Sequence, residues 1–331
     1  MKYKKYDIAQ IQYILNKMKP LYKPFVPIEI KKGHYVIDIP ARKTFIGLVN
    51  GKRNVLNFNF FTMAFGIESG NGSGSLLTVN GSNYCGAPNP SSPFDIAYGS
   101  GTQSPSFTQY SLQSFINDIY PPQITISLLS DRAQISVVGV LPGPKQLTEP
   151  VNEIGLYEWG GGNCGYFIMY GRIVSSFSPG STVVYYVDVL EPWTYNYGYI
   201  IYSFISGSTP SGIVSTNGTT ISTSWTEAKG ASVLVGSANS YTASPSLYSI
   251  SEDVVFSTSH QYKNNIQNVV DYILGTAVPN EEIQIQTLGL IQNYASGSST
   301  YPVLILVLPL SSPITLYPNQ ENYVYLRLVA E

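Results

Sequence analysis

Side chains that could perform chemistry are scarce in this chain, beginning with only two histidines, His34 and His260. Neither histidine lies near another candidate ligand or nucleophile in the sequence. A hydrolytic triad needs a histidine beside a serine or cysteine and a carboxylate, and the chain has no GxSxG elbow. The sequence therefore predicts that both histidines are strand or surface residues without a catalytic role.

Carboxylates offer the remaining route to catalysis, because two of them across a groove can act as acid and base in a hydrolase. Glu153 and Glu158 bracket one apolar strand, and Glu281 and Glu282 precede a similar one. No spacing indicates that any two of them converge. The sequence favours solvated carboxylates at strand ends and keeps an acid-stable hydrolase as a third hypothesis.

The two cysteines, Cys85 and Cys164, predict either one disulfide in an oxidising environment or two buried thiols. Without a CxxC pair or a Cys/His cluster, no zinc site is expected. The string GxGxxG at residues 160–165 precedes a strand candidate and not the helix that binds a pyrophosphate. We therefore predict no metal, no cofactor and no catalytic residue, and hence a protein that is not an enzyme.

Two features bear on the surface of the protein. Asn71, Asn80 and Asn217 each begin a glycosylation-acceptor pattern in a loop, which matters only if the protein is displayed outside a cell. The 27 tyrosines could stack on sugars, although tyrosine is also a good strand residue that packs its ring while its hydroxyl reaches water. The packing interpretation is favoured.

Charge is distributed very unevenly along the chain. Residues 1–53 hold twelve Lys and Arg against three acids, a net charge of about +9, while residues 54–331 hold six against seventeen, about −11. Such asymmetry usually reflects what each segment faces. A basic end on an acidic body suggests that the basic end docks on a partner.

Charged residues make up only 11% of the chain, where soluble domains average about 25%. Acid unfolding is mostly the protonation of paired carboxylates, so a chain with few of them should tolerate acid. This composition is compatible with a hot, acidic exterior. It is also common among β-rich outer-surface proteins.

The first segment, residues 1–23, is predicted to be a basic amphipathic arm. Asp7 to Lys19 has the best helical pattern, with Asp7 as N-cap and Pro20 as terminator. No stretch reaches the ~18 apolar residues of a membrane span, and the start lacks the apolar core of a signal peptide. Docking on other protein subunits fits this mixture better than contact with nucleic acid or a membrane. The candidate docking residues are Lys2, Lys4, Lys5, Ile8, Ile11, Leu15, Lys17, Met18 and Lys19.

From residue 28 onward the pattern is strand and turn. Phe45–Val49 and Val55–Phe61 flank Asn50-Gly51, a pair typical of tight hairpins. Gln261–Leu274 is the only other stretch compatible with a short helix.

Short motifs also repeat in the same order at a nearly constant offset, which predicts an internal duplication. The four matches are 78–82 with 215–219, 138–142 with 274–279, 154–157 with 288–291 and 178–181 with 317–320.

Many short strands, long loops and little helix predict an all-β fold of two tandem antiparallel β-sandwiches, of jelly-roll or immunoglobulin-like type. We place the first sandwich domain at residues 24–192 and the second at 193–331. The apolar strand candidate at residues 323–329 should lock the end of the second domain into a sheet.

Residues 152–157 (Asn-Glu-Ile-Gly-Leu-Tyr), Gly171-Arg172-Ile173-Val174, a Ser-Pro-Gly turn and Val183–Leu190 form a strand–loop–strand–turn–strand pattern. This pattern resembles one in structural proteins of phages and archaeal viruses, and the low-charge, Tyr/Ser/Asn-rich style is similar to virion proteins from hot acidic springs. A second copy at residues 288–330 lacks the acidic residue and the tyrosine. The resemblance implies jelly-roll virion proteins such as capsid, penton, turret or spike subunits.

The leading hypothesis is therefore a virion structural protein that forms homo-oligomers and binds other virion proteins. It would be assembled in the host cytoplasm and exposed after release, which requires no signal peptide. The alternative is a cell-surface adhesin or carbohydrate-binding module that contacts host cells or glycans. Tyrosines clustered on one exposed patch would favour that alternative.

Overall fold

The computed structural model describes residues 25–70, 76–82, 93–159, 166–169, 177–242 and 244–331, with backbone alone for residues 159 and 166–169. The predicted arm, residues 1–23, lies outside the described residues. Strands dominate, as the sequence predicts for an all-β protein. The three α-helices of the described residues are α1 (Ala41–Thr44), α2 (Phe58–Glu68) and α3 (Tyr195–Ser206), and Trp225–Glu227 forms a 3₁₀ turn.

The strands of the described residues fall into four large sheets and one small hairpin. In the first half they are β1 (Ile28–Lys31), β2 (His34–Pro40), β3 (Phe45–Val49), β4 (Lys52–Asn54), β5 (Asp95–Gly99), β6 (Phe115–Ile119), β7 (Gln123–Leu129), β8 (Arg132–Val140), β9 (Glu153–Trp159), β10 (Tyr166–Met169) and β11 (Thr182–Leu190). In the second half they are β12 (Ser211–Val214), β13 (Thr220–Ser222), β14 (Ala228–Ser237), β15 (Val254–Val255), β16 (Ser257–Asn264), β17 (Val269–Ala277), β18 (Ile283–Ser296), β19 (Ser299–Leu316) and β20 (Asn322–Ala330).

Strand order reveals two similar units. Sheet 1 has the order β10-β9-β5-β6 and sheet 2 the order β4-β3-β11-β8-β7. Sheet 3 has the order β15-β14-β18-β19 and sheet 4 the order β1-β2-β20-β17-β16. Both pairs combine a four-stranded sheet with a five-stranded one, and β16-β17-β20 repeats β7-β8-β11. We call sheets 1 and 2 the first unit, and sheets 3 and 4 the second.

The same side-chain hydrogen bonds also occur in both units, between residues whose numbers differ by 137. Asn59, in α2, donates to the carbonyl of Leu77 at 2.9 Å and accepts from its amide at 2.9 Å. Asn196, in α3, makes the same two bonds with Val214, at 2.8 and 2.9 Å. The two Asn-Gly turns that follow, at residues 78–82 and 215–219, are closed by identical backbone bonds. The repetition extends from strand order to individual side chains.

The two sheets of each unit pack closely at one glycine, and the two glycines are a repeated pair in the sequence. A Cβ at Gly139 would lie 2.9 Å from Cγ2 of Ile119, between sheets 2 and 1. A Cβ at Gly275 would lie 2.5 Å from Cδ2 of Leu234, between sheets 4 and 3. These positions need glycine because the facing sheet occupies the space of a side chain.

The two units interlock. Helix α2 follows β4 of the first unit but packs on β14, β16, β17 and β20 of the second, while α3 packs on β7, β8 and β11 of the first. Strand β2 pairs in parallel with β20. The predicted boundary after residue 192 therefore does not separate the sheets, and one continuous apolar core crosses it.

The centre of this core is aromatic. The rings of Trp193 and Tyr197 stack at 4.4 Å, and Phe45 packs against both. The Tyr197 hydroxyl donates to the carbonyl of Ala64, at 2.5 Å, which ties α3 to α2. Residues of both halves thus meet at one point.

Three local predictions can be compared with these elements. The hairpin at Asn50-Gly51 is confirmed, with φ of 45° and 76° at the two residues. The strand predicted over Val55–Phe61 is wrong, because Asn57 caps α2 there by accepting from the Phe60 amide at 3.3 Å. The short helix considered at Gln261–Leu274 is also wrong, because this stretch forms the β16–β17 hairpin.

Candidate functional site

Several predicted site residues lie outside the described residues. These are the nine docking candidates of the arm, together with Asn71, Cys85 and Cys164. Asn80 and Asn217 lie at the two equivalent turns, and each turn has exposed residues at its tip. Oδ1 of Asn217 accepts from Ser215 Oγ at 2.6 Å and from the Thr219 amide at 3.0 Å. Both asparagines therefore stand on ordered surface turns.

The four carboxylates singled out in the sequence differ in their surroundings. Glu281 and Glu282 are exposed, as predicted. The prediction is wrong for Glu153 and Glu158, which are buried. Glu153 accepts the amides of Gly101, Gln113 and Ser114, at 3.0, 3.1 and 2.7 Å, and so closes the loop before β6. Its role in the described structure is to bind backbone.

Both histidines lie in strands of sheet 4, but their environments differ. His34 packs on Tyr323 with the ring centroids 4.6 Å apart, and burial lowers its pKa. His260, in β16, points into the interior toward two carboxylates, those of Glu68 and Asp271. The fold thus brings together residues that the sequence did not connect.

We call this buried group the seam cluster: Glu68, Ser232, His260 and Asp271. Glu68 ends α2, while the other three belong to β14, β16 and β17 of the second unit. The side chains of Glu68 and Asp271 are fully buried, and that of His260 is 5% exposed. The cluster lies where α2 enters the second unit.

The distances within the seam cluster are short. His260 Nδ1 lies 2.7 Å from Asp271 Oδ2 and 3.6 Å from Glu68 Oε1. His260 Nε2 lies 2.8 Å from the carbonyl oxygen of Ser232, and the Ser232 hydroxyl donates to Glu68 Oε1. A carbonyl can only accept, so Nε2 carries a proton and Nδ1 faces the carboxylates.

Burial and neighbouring charges shift the pKa values of two side chains in this cluster. Burial raises the pKa of Glu68 well above its usual value, and the nearby Asp271 raises it further. Burial alone would lower the pKa of His260, but its hydrogen bond to Asp271 and the charge of Glu68 raise it to about 9. Glu68 and His260 therefore both hold a proton more tightly in the folded protein than as free side chains.

A sequence signal for this cluster exists. Asp271 sits in the apolar run 269–274, and its alternation with Val269 and Ile273 places it on the core-facing side of β17. A carboxylate on the core face of a strand requires a partner. The identity of that partner does not follow from spacing, because Glu68 and His260 come from distant parts of the chain.

A second group of acids lies on sheet 1. Asp95 pairs across the strands with Tyr157, whose hydroxyl donates to Asp118. Burial raises the pKa of Asp95 to about 7, with a smaller effect from the charge of Asp118. Asp95 is therefore largely protonated in mild acid.

A cavity of about 270 Å³ opens beside β3 and β4, within the basic segment of the described chain. We call it the basic cavity. Its polar side chains are those of Arg42, Arg53 and Asn54, and the buried Nδ2 of Asn54 has no hydrogen-bond partner among the described residues. The remaining lining residues are Phe45, Ile46, Gly47, Val55, Leu56 and Phe61.

One face of sheet 4 carries aromatic side chains apart from the main core. Tyr323 and Tyr325 stack there at 6.3 Å, beside Val36 and Leu274, and form a separate apolar cluster. The ammonium of Lys263 lies 5.9 Å from the ring of Tyr272. We call this surface the aromatic face.

Comparison with known proteins gives no family for this chain. No family model, curated protein or solved structure matches it. Among the described residues, no helix is long and apolar enough to cross a membrane.

Proposed function

We propose that the protein is a virion structural subunit of capsid, penton or turret type. In this proposal it consists of two jelly-roll-like β-sandwiches and assembles through its basic N-terminal region, so that the sandwiches are displayed outward. Its partners are further copies of itself and other virion proteins. The observation that carries the proposal is the basic cavity, which lies inside the segment expected to dock.

The chemistry of the basic cavity selects its occupant. Arg42 already donates to an oxygen of Glu331, so the guanidinium of Arg53 and the amide donor of Asn54 are the groups that call for an acceptor. A carboxylate binds a guanidinium through two hydrogen bonds. The apolar walls call for an aliphatic or aromatic side chain next to that carboxylate. An acidic loop of a second copy fits both requirements, because residues 54–331 have a net charge of about −11.

Repeated exposed apolar residues also support an assembled state. Leu128 and Ile266 lie at the ends of the equivalent β7–β8 and β16–β17 hairpins and are 44% and 37% exposed. Val140 and Val278, at the ends of β8 and β17, are both 58% exposed. Exposed apolar residues near corresponding strand ends of the two units suit contacts with neighbouring subunits, as closed shells require.

The buried carboxylates and His260 bind other groups of the protein, which supports a role without catalysis. Glu153 binds backbone amides, and Glu68, His260 and Asp271 bind one another between the units. Asp38 receives two hydrogen bonds from Arg327, at 2.8 and 2.6 Å. These groups stabilise the fold, which is what a structural subunit requires.

The aromatic face supports the second candidate, a carbohydrate-binding module or adhesin. Tyr272 and Tyr323 are half-buried on one side of sheet 4, with Tyr325 buried beside them, and partly exposed rings of this kind can stack on sugars. Under this proposal the ligands are glycans of the host cell surface.

The test uses the purified full-length chain. We expect electron microscopy and sedimentation to show ordered oligomers, and expect Arg53→Glu to leave a folded monomer because the cavity loses its attraction for carboxylates. Deletion of residues 1–23 should likewise give a soluble protein that no longer assembles. Lys145→Glu, which reverses an exposed charge in a different loop, is the matched control.

Oligomers that survive Arg53→Glu unchanged would refute the role of the basic cavity. A full-length protein that stays monomeric and binds an immobilised glycan would refute the virion proposal and favour the binding module. The melting temperature of each variant distinguishes lost assembly from lost folding.

A further inference from the structure

The seam cluster contains an arrangement that hydrogen bonds alone leave incomplete. The ring of His260 donates from Nε2 to the carbonyl of Ser232, so Nδ1 and its surroundings must satisfy two carboxylates. A lone pair on Nδ1 at 2.7 Å from Asp271 Oδ2 would be repelled. A positive charge must therefore lie between these atoms, either a proton or a metal ion.

Two buried oxygens of the cluster accept no hydrogen bond from any residue in the described part of the chain. They are Oε2 of Glu68 and Oδ1 of Asp271, both on fully buried side chains. A buried carboxylate oxygen without a partner costs folding free energy, and natural structures contain few such atoms. A cation bound by both oxygens of a carboxylate would satisfy each of these atoms.

We propose that Glu68, His260 and Asp271 bind one divalent transition-metal ion, with zinc as the ion of reference, which joins α2 of the first unit to β16 and β17 of the second. One imidazole nitrogen and two carboxylates are a suitable ligand set for such ions. Ligand atoms of the three residues lie within 4.8 Å of one another.

The geometry is close to that of a bound ion. Ligand atoms of two different residues, each roughly 2.1 Å from a zinc ion and about 110° apart at the ion, are about 3.4 Å from one another. The 3.6 Å between His260 Nδ1 and Glu68 Oε1 already matches this separation. The contact between Nδ1 and Asp271 Oδ2, at 2.7 Å, has to lengthen to reach it.

The surroundings of His260 resemble those of metal-bound histidines in general. Such a histidine usually donates its other ring N–H to a carbonyl or carboxylate, which fixes its tautomer. The bond from Nε2 to the Ser232 carbonyl does this, and the Ser232 hydroxyl holds Glu68.

The net charge of the proposed metal site also suits a buried position. A divalent cation with two carboxylates and a neutral imidazole is electrically neutral, as a buried site requires. Binding would release the protons held by the cluster, and affinity should therefore rise with pH.

The experiment measures metal content and stability of the full-length protein purified without chelators. We expect about one zinc ion per chain by plasma mass spectrometry, a lower melting temperature after exhaustive chelation, and recovery of that temperature on adding zinc. His260→Gln and Asp271→Asn should each abolish the metal content and the response to zinc.

Asp188→Asn is the matched control. Asp188 is also a buried strand carboxylate, but it lies in sheet 2, where it accepts from Gln134 at 2.9 Å, so this variant should keep its metal. Because variants of buried residues can fail to fold, the full-length natural protein is also refolded with Co²⁺, whose visible spectrum should report nitrogen and oxygen ligands. Folded natural protein that binds neither zinc nor Co²⁺, with a melting temperature unaffected by either, would overturn the proposal.

Discussion

At the scale of single residues, the molecule uses several of its few charges inside the fold. Glu68, Glu153 and Asp271 are all fully buried, although the chain is poor in charged residues. Each needs specific partners, because an unpaired buried charge is costly. Charged residues are therefore few in this chain, but several of them matter for the stability of the fold.

The raised pKa of Asp95 predicts how the stability of the fold depends on pH. Its pKa is about 7 in the folded protein against 3.8 for a free side chain, so the folded state holds the proton more tightly. This contribution to stability is fully present below about pH 4 and is lost as the pH rises through 7. We expect the melting temperature to fall over this range and Asp95→Asn to reduce the slope.

The measurement is a series of thermal melts from mildly acidic to mildly alkaline pH. Glu281→Gln, at an exposed strand-end carboxylate, should leave the slope unchanged. An unchanged slope in Asp95→Asn would show that Asp95 titrates normally. The expected direction agrees with the acid tolerance inferred from composition.

At the scale of elements, the two close sheet contacts give a second prediction. Gly139→Ala and Gly275→Ala place a Cβ at 2.9 and 2.5 Å from the facing sheet, so side chains or sheets must move apart. Overpacking of this kind costs about 1–3 kcal/mol. Denaturant unfolding should show a loss of this size for both variants.

Gly143→Ala is the control for these variants, because a Cβ added there would meet nothing within 4 Å. A larger loss at Gly275 than at Gly139 is expected, since its contact is the shorter one. Equal stability of all three variants with the natural protein would mean that the sheets adjust freely.

The elements also show how far sequence could predict the fold. Alternating strands, the Asn50-Gly51 hairpin and the repeated motifs were predictable because each depends on local spacing. Helix α2 was not, since every one of its residues is buried and no polar face marks the helical period. Helix α3 was hidden by its tyrosines, which also suit strands.

One candidate site could be predicted from the sequence and the other could not. The basic segment was visible as a run of charge, and the structure adds the cavity that Arg42 and Arg53 line. The seam cluster was not predictable, because its members meet only when α2 crosses into the second unit. Sequence could indicate Asp271 as an unusual residue but not its partners.

At the scale of the whole molecule, interlocking predicts the behaviour of separated halves. Residues 24–192 and 193–331, expressed alone, should each fail to fold, because α2 and α3 would lose the strands of the other unit that pack on them. Sheet 4 would also lose β2 from its place beside β20. Circular dichroism and solubility of each half check this expectation.

Expression of both halves together is the natural control. Recovery of a soluble complex is expected, since the contacts between the units are then available. A single half that unfolds cooperatively on its own would show that the two units are independent domains.

The parallel pairing of β2 with β20, from His34 beside Tyr323 to Pro40 beside Val329, also bears on mechanical strength. Tension applied between the β1–β2 turn, at residues 32–33, and the end of β20 would pull these neighbours lengthwise past each other. All hydrogen bonds between them would then carry the load together, instead of opening one after another. A chain loaded between this turn and its last strand would thus resist force through hydrogen bonds alone.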